Sequence, residues 1–193
     1  LPDLSAQLAA GLNATAALFH LRDKNRAVSD LSNPGFALAQ GEATVQGLEL
    51  EATGNLAPNW ELSAGYTYTD TDFENTETAA GSEFYTPQHM LQLWTKYRFD
   101  QPGWEGLSIG GGIRAFSDFR NIARTSAGST TIEAPGYAVA DLMASYDITD
   151  TVTATLNVNN LFDKTYYERV GGTSVFNFYG APRNVSLRIG ARF

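Results

Sequence analysis

The residues best equipped for chemistry here are aromatic rings with guanidinium groups among them. Phe84, Tyr85, Phe116, Phe119, Tyr166, Tyr167, Phe176, Phe178 and Tyr179 fall in or beside long connecting segments, in the company of Arg120, Arg124, Arg169 and Arg183. Exposed rings cost solubility unless they pack or bind something. Flat aromatic surface with guanidinium beside it suits a bulky, partly anionic chelate; packing of one connection on another is the competing account. The densest supply lies in 118–135 and 163–181. The candidate ligand contacts are therefore Phe84, Tyr85, Phe119, Arg124, Tyr167, Phe178 and Tyr179.

Other chemistries are poorly served. The two histidines, His20 and His89, fall in strand-like runs without a nucleophile elbow around them, so an enzyme is not expected. Gly110-Gly111-Gly112 lacks the Lys-Ser/Thr of a phosphate loop; in a strand, such residues mark close approach of backbone or of another body. Asp70, Asp72, Glu74 and Glu77 could offer oxygen ligands, but the calcium-loop glycine is missing and a solvated acidic loop is expected, with no metal. Cysteine is absent and net charge is −8, which argues against thiolate chemistry and a nucleic-acid partner. Asn13-Ala14-Thr15 and Asn184-Val185-Ser186 match the glycosylation triplet but lie in strand-like runs. No leader opens the chain, so a mature protein or a fragment is expected.

The elements that must position these groups are strands. Val185, Leu187, Ile189, Ala191 and Phe193 alternate with Asn184, Ser186, Arg188, Gly190 and Arg192, a period of two. The same alternation recurs over 13–22, 43–54, 60–70, 89–99, 107–117, 137–148 and 152–160, making about eight full strands, with 4–8 the tail of one more. Connections 55–59, 100–106 and 149–151 are short; 23–41, 71–86, 118–135 and 163–181 are long. No apolar run of ~18 residues supplies a spanning helix, but a membrane barrel needs only ~10 alternating residues per strand, with short turns on one side and long loops on the other. Trp60, Tyr97, Phe99, Tyr146 and Phe193 fall at the short-turn end and Tyr66 and Tyr68 near the long-loop end, as two interfacial girdles. Phe19 and Leu21 suggest that odd positions of 13–22 point outward. Glu49, Glu51, Lys96, Arg98, Asp141, Arg188 and Arg192 fall on the polar, lumen-facing side. The fold class is all-β, an antiparallel up-and-down transmembrane barrel segment; a soluble sandwich is the alternative.

A family resemblance runs through the same residues. Asn160-Leu161-Phe162-Asp163, Tyr166-Tyr167, Tyr179-Gly180-Ala181-Pro182-Arg183-Asn184 and the final Arg192-Phe193 resemble the end of a TonB-dependent siderophore receptor. Upstream, 18–25, 47–51, 65–70 and Pro87-Gln88-His89-Met90 resemble its late strands, so that the likeness runs from about Leu12 onward. The resemblance implies that residues 1–193 are the last part of a plugged barrel of about 22 strands, with plug and N-terminal strands absent. It implies uptake of a ferric siderophore at the bacterial outer membrane, with no covalently bound cofactor. It also implies coupling to the TonB system through the missing part, lumen charges meeting the plug, lipid and possible lipopolysaccharide contacts, and assembly machinery reading the strand that ends in Phe193. A self-contained eight-stranded barrel acting as anchor, adhesin or envelope-stability protein is the alternative, decided by whether the last strand pairs with 13–22.

Overall fold

The computed structural model describes residues 3–9, 11–30, 32–33, 35–74, 79–125, 128–171 and 176–192. Glu77 and Phe193 lie outside them, and of Phe84 and Arg124 only the backbone is described. The chain runs through β1 (Asp3–Ala9), β2 (Leu12–Asp30), β3 (Ala37–Ala57), β4 (Trp60–Glu74), β5 (Ala79–Tyr85), β6 (His89–Arg98), β7 (Leu107–Phe116), β8 (Phe119–Thr125) and β9 (Gly128–Ala134). It continues through β10 (Tyr137–Asp147), β11 (Val152–Asn159), β12 (Tyr167–Arg169), β13 (Phe178–Tyr179) and β14 (Asn184–Ala191). Antiparallel neighbours in the order β14, β11, β10, β7, β6, β4, β3, β2 form a wall, with β1 beyond β2.

The wall does not close. Among the described residues β14 is hydrogen-bonded to β11 alone, and β2 pairs with β1, β3 and, at its top, β5. Every residue of β14 is exposed. This sets aside the self-contained eight-stranded barrel.

Cross-strand register sorts the side chains into rows. Ala16, Leu50, Tyr66, Leu91, Ala115 and Ala138 share one row. Leu142, Val158 and Val185 share another, and Ala144, Leu156 and Leu187 a third. These apolar rows are open to the surroundings, with Leu187 67% exposed, as a lipid-facing surface must be. The other face is concave and polar. Glu49, Glu51, Gln92, Trp94, Arg114 and Asp141 line one hollow on it, and Arg98, Ser108, Ser145, Thr155 and Arg188 form a row across five strands.

Both expected girdles form, Phe193 lying outside the described residues. At the short-turn end Trp60 meets Tyr97 edge-on at 6.4 Å, Phe99 lies beyond Tyr97, and the Trp60 indole N–H donates to Thr95 Oγ1 at 2.6 Å. A ring in the apolar band thereby keeps its polar atom satisfied. At the other end Tyr66 and Tyr68 pack against His89, with Tyr66 Oη 2.8 Å from His89 Nδ1.

Above the upper girdle the faces exchange character. The outer face carries His20, Arg22, Glu42, Gln46, Asp70 and Asp72; the inner face carries Leu21, Val45 and Phe73 beside an apolar hollow. This corrects the expectation for Phe19 and Leu21. Ala16 and Leu18 sit opposite Leu50 and Leu48 and so point to lipid, whereas Phe19 and Leu21 sit opposite Gly47 and Val45 on the inner face. Once the strand clears the membrane, its outer face meets water, and the apolar side chains line the inner hollow. Asp70, Asp72 and Glu74 are accordingly strand residues of β4.

The long connections are shorter than expected because strands continue into them. β2 and β3 have 19 and 21 residues, about twice the ~10 that a spanning strand needs. Their tip turns at Ser32-Asn33, where the Asp30 carboxylate accepts from both backbone N–H groups at 2.8 and 3.2 Å and from the Asn33 amide at 2.8 Å. The bond from the Asn33 side chain does most to hold Asp30 below the usual carboxylate range. Segment 71–86 contains β5, and 118–135 is the β8–β9 hairpin; β5, β8 and β9 pair in sequence, joining two connections into one strip.

The first and third of the three glycines have a packing cause. A Cβ at Gly110 or Gly112 would stand 3.3 or 2.7 Å from the Trp94 ring, and at Gly112 closer still to the Leu93 carbonyl. Trp94 lies across this shelf on the inner face.

Folding titrations in lipid vesicles check two outcomes. Leu156→Arg should cost about 2–4 kcal/mol while Ser186→Arg, on the lumen face, costs much less; equal costs would overturn the assignment of faces. Gly112→Ala should cost about 1–3 kcal/mol through overpacking, whereas Gly65→Ala, whose Cβ meets nothing within 4 Å, should be close to neutral. Matching values would remove the role given to the Trp94 shelf.

Candidate functional site

The long-loop rim is built on the end of β11. Asn160 adopts a left-handed backbone, φ 52°, and Asp163 another, φ 53°, conformations that Asn and Asp enter more readily than other side chains. Asn160 is 3% exposed. Its amide Nδ2 donates to the carbonyls of Lys164 and Ala181 at 2.9 and 3.0 Å, and its Oδ1 accepts from Lys164 N–H at 2.8 Å. Asp163 Oδ1 accepts from Arg183 N–H at 2.9 Å. The two roots of connection 163–181 are thus tied by side chains of the Asn-Leu-Phe-Asp stretch.

Above that clip the rings stack. Tyr166 lies on Tyr137 with centroids 4.2 Å apart, and Tyr137 on Phe116 at 4.9 Å. Gly180 is required beneath Tyr166, because a Cβ there would enter its ring. β12 and β13 pair, bringing Tyr167 and Tyr179 into a stack at 4.5 Å with their hydroxyls 2.9 Å apart. Burial pushes the Tyr166 phenol up, and the hydrogen bond with Tyr179 does the same to Tyr167. Both are therefore neutral phenols at ordinary pH, Tyr167 sharing its hydrogen bond with Tyr179. Phe178 and Tyr179 stand open, the latter 62% exposed.

The candidate rings separate into two kinds. Phe119 is 4% exposed, in a small core with Ala134 and Val170 and against Ile132, Tyr137 and Tyr167. Its position is that of a packing anchor between the two connections and leaves a ligand almost no surface; the expectation of a contact is corrected accordingly. The nearby Asn121 amide donates to the Gly171 carbonyl at 2.6 Å, a second tie between the same connections. Tyr85 packs edge-on against Phe73 at 5.1 Å with the Arg120 guanidinium over its ring at 4.5 Å. Tyr167, Phe178 and Tyr179 come together in one place, while Tyr85 belongs to the β5 strip. The Phe84 and Arg124 side chains lie outside the described set.

On the inner wall, three of the expected charges are paired within the wall. Lys96 Nζ is 2.9 Å from Glu61 Oε1, Arg98 Nη2 3.1 Å from Asp147 Oδ2, and Arg114 Nη2 3.3 Å from Asp141 Oδ2. Glu49 and Glu51 line the central hollow. Arg188 sits in the row of Arg98, and the Arg192 N–H donates to the Thr151 carbonyl at 2.9 Å. Sequence reasoning gave no place in the site to Tyr137 or Arg114, and Asn160 entered it only through the family resemblance. For Asn160 a signal was available: an Asn directly after an alternating run marks a left-handed stop. For Tyr137 and Arg114 none was, since each matters through a partner distant in sequence. Among the described residues no group of three His, Asp or Glu side chains is placed to hold a metal ion.

Comparison with known proteins gives this geometry a family. Residues 3–161 match the model of the TonB dependent receptor-like β-barrel. The chain is 35% identical over 188 residues to the ferric-pyoverdine M114 receptor PbuA of Pseudomonas sp. (strain M114), covering 94% of this chain and 22% of that protein. It is 31% identical over 189 residues to the ferrichrome outer membrane transporter/phage receptor of Escherichia coli (strain K12), covering 93% and 24%. The crystal structure of the ferripyoverdine receptor of Pseudomonas aeruginosa bound to ferripyoverdine superposes with a TM-score of 0.78 at 31% identity, over 98% of this chain and 26% of that one. The chain spans between a fifth and a quarter of the length of these curated relatives. With its open antiparallel wall, lipid-facing rows and long-loop rim, the chain belongs to the TonB-dependent receptor β-barrel family of the bacterial outer membrane.

Proposed function

We propose that this wall serves a receptor that captures a ferric siderophore at the outer mouth and imports it with energy from the TonB system, and that the receptor is not an enzyme. The wall is then the last part of a larger barrel whose plug and earlier strands supply the gate and the coupling segment. An open edge in lipid supports that reading, because each unpaired N–H or C=O there costs several kcal/mol and further strands must cover β14 and β1. Lipid bathes the outer rows, lipopolysaccharide lies against the polar outer face above the girdle, and the assembly machinery reads the final strand up to Phe193.

The observation that carries the ligand reading is the open aromatic shelf of Phe178 and Tyr179, backed by Tyr167. Rigid rings with a few directed polar groups are what a compact chelate needs, and this shelf is held by stacking and by the clip beneath it. Tyr85 with Arg120, and Phe84 and Arg124 on the same strip, form a second flank. The relatives are named for ferric pyoverdine and ferrichrome, which makes those two chelates the probes of choice.

In the full receptor, Tyr167→Ala with Tyr179→Ala should weaken binding of whichever of ferric pyoverdine or ferrichrome it takes by roughly tenfold to a hundredfold, at unchanged barrel melting temperature. Titration of the purified receptor with both chelates checks this. Wild-type affinity in that double variant and in a Tyr85→Ala, Arg124→Ala pair would show that the rings are there for packing alone.

A further inference from the structure

The geometry points to Asp141 as the residue that positions the aromatic shelf from the inner wall, with Arg114 holding Asp141 in place. Asp141 belongs to β10 and faces the lumen, yet its two oxygens face in different directions. Oδ1 accepts the Asn160 backbone N–H at 2.8 Å, and Oδ2 meets Arg114 Nη2 at 3.3 Å. Asn160 is the clip described above, with one side-chain amide on Lys164 and Ala181. A continuous chain of charge-assisted and neutral bonds therefore runs from Arg114 on β7, through Asp141 on β10 and Asn160 after β11, to both roots of connection 163–181.

Three features mark this as a positioning device. The Asn160 backbone stands at φ 52°, a left-handed stop just past β11, where a side chain rather than a neighbouring strand takes up the N–H. The bond holding it is made to a carboxylate, roughly twice as strong as a neutral one, and the carboxylate is largely shielded, its side chain 16% exposed against 43% for Arg114. The neighbouring wall pairs, Lys96–Glu61 and Arg98–Asp147, tie strand to strand; in Arg114–Asp141 the carboxylate also holds the start of an outer connection. The shelf residues Tyr167 and Tyr179 thus take their place from a charge pair in the lumen. Any group in the lumen that draws Arg114 away from Asp141 would, by linkage, loosen the shelf, and a ligand that fixes the shelf would tighten the pair by the same factor.

The inference rests on the proposed siderophore reading only for its consequence, and its first test needs no chelate. Amide hydrogen exchange would be followed in the full receptor for wild type, Asp141→Ala, Asp141→Asn and Arg114→Gln. Asp141→Ala should speed exchange of the amides of 163–171 and 176–183 by about tenfold, a loss near 1.4 kcal/mol of local protection, while β4 and β6 keep wild-type rates. Asp141→Asn retains an acceptor for Asn160 and should recover most of that protection. Arg114→Gln should give an intermediate rise in the same amides. Affinity for ferric pyoverdine or ferrichrome should fall in the same order as protection. Unchanged exchange at 163–183 in Asp141→Ala overturns the proposal, as does a uniform rise along β10 and β11, which would reveal only a weakened wall. Loss of protection with no loss of chelate affinity would leave the positioning intact and reject the shelf as the chelate site.

Discussion

The structure depends on one constraint: in hydrocarbon no backbone N–H or C=O can go without a partner. That constraint keeps the ladder between β2 and β3 unbroken from Leu12 to Asp23, with register shifts only beyond Asp23, and it fixes the register of each wall strand against the next. Once register is set, each side chain's face is set, because the period is two and a slip of one residue would put Arg114 in lipid and Ile113 in the lumen. The rows, the girdles and the polar lumen are consequences of pairing first and of hydrophobicity second. The cost of an ion in lipid then selects among registers that pairing alone would allow.

This is why the wall was legible in the sequence and the rim much less so. In β14, Val185, Leu187 and Ile189 meet lipid on one side while Ser186 and Arg188 meet the lumen on the other, and the alternation states both facts at once. The rule fails where the solvent changes. Phe19 and Leu21 are apolar and strand-forming, and above the membrane the apolar side is the inner one. Apolar character marks a dry face, and only neighbouring rows can say whether that face is lipid or lumen. The strand ends misled for a related reason: Asp23–Asp30 and 37–42 are polar or small enough to read as loop, yet they pair with each other because nothing forces a strand to stop at the membrane surface.

The rim was legible as rich in aromatics, with ligand contact and packing as competing uses, but which ring serves which use was not. Phe119 and Val170 are 51 positions apart in the chain and meet in the same small core, and no local pattern distinguishes a ring that will be covered by such a contact from one that will stay open. Tyr179 stays open while its immediate neighbour Gly180 is a floor for Tyr166. What the sequence did carry was the turn chemistry. Asn160 and Asp163 are the residue types that accept a left-handed backbone, and both use their side chains to close the loop they begin.

Wall and rim are therefore stabilised by different interactions and joined at few points. The wall draws on lipid-facing area and ladder bonds, both extensive and tolerant of substitution within a face. The rim draws on a small number of specific contacts, including the Asn160 clip, the Phe119 core and the Tyr166 stack, each of which involves residues from different connections or from a connection and a strand. The proposed chelate site would have to be held to within a fraction of an ångström, and loops alone do not give that. By rooting Asn160 on Asp141, a residue whose height is set by the β7–β10–β11 ladder, the chain lends the rigidity of the membrane wall to a loop that stands outside it. The polar lumen then has a role beyond being wet: beside the Ala140 carbonyl, which accepts from the Leu161 N–H at 2.7 Å, the Asp141 carboxylate grips the loop root from the lumen side.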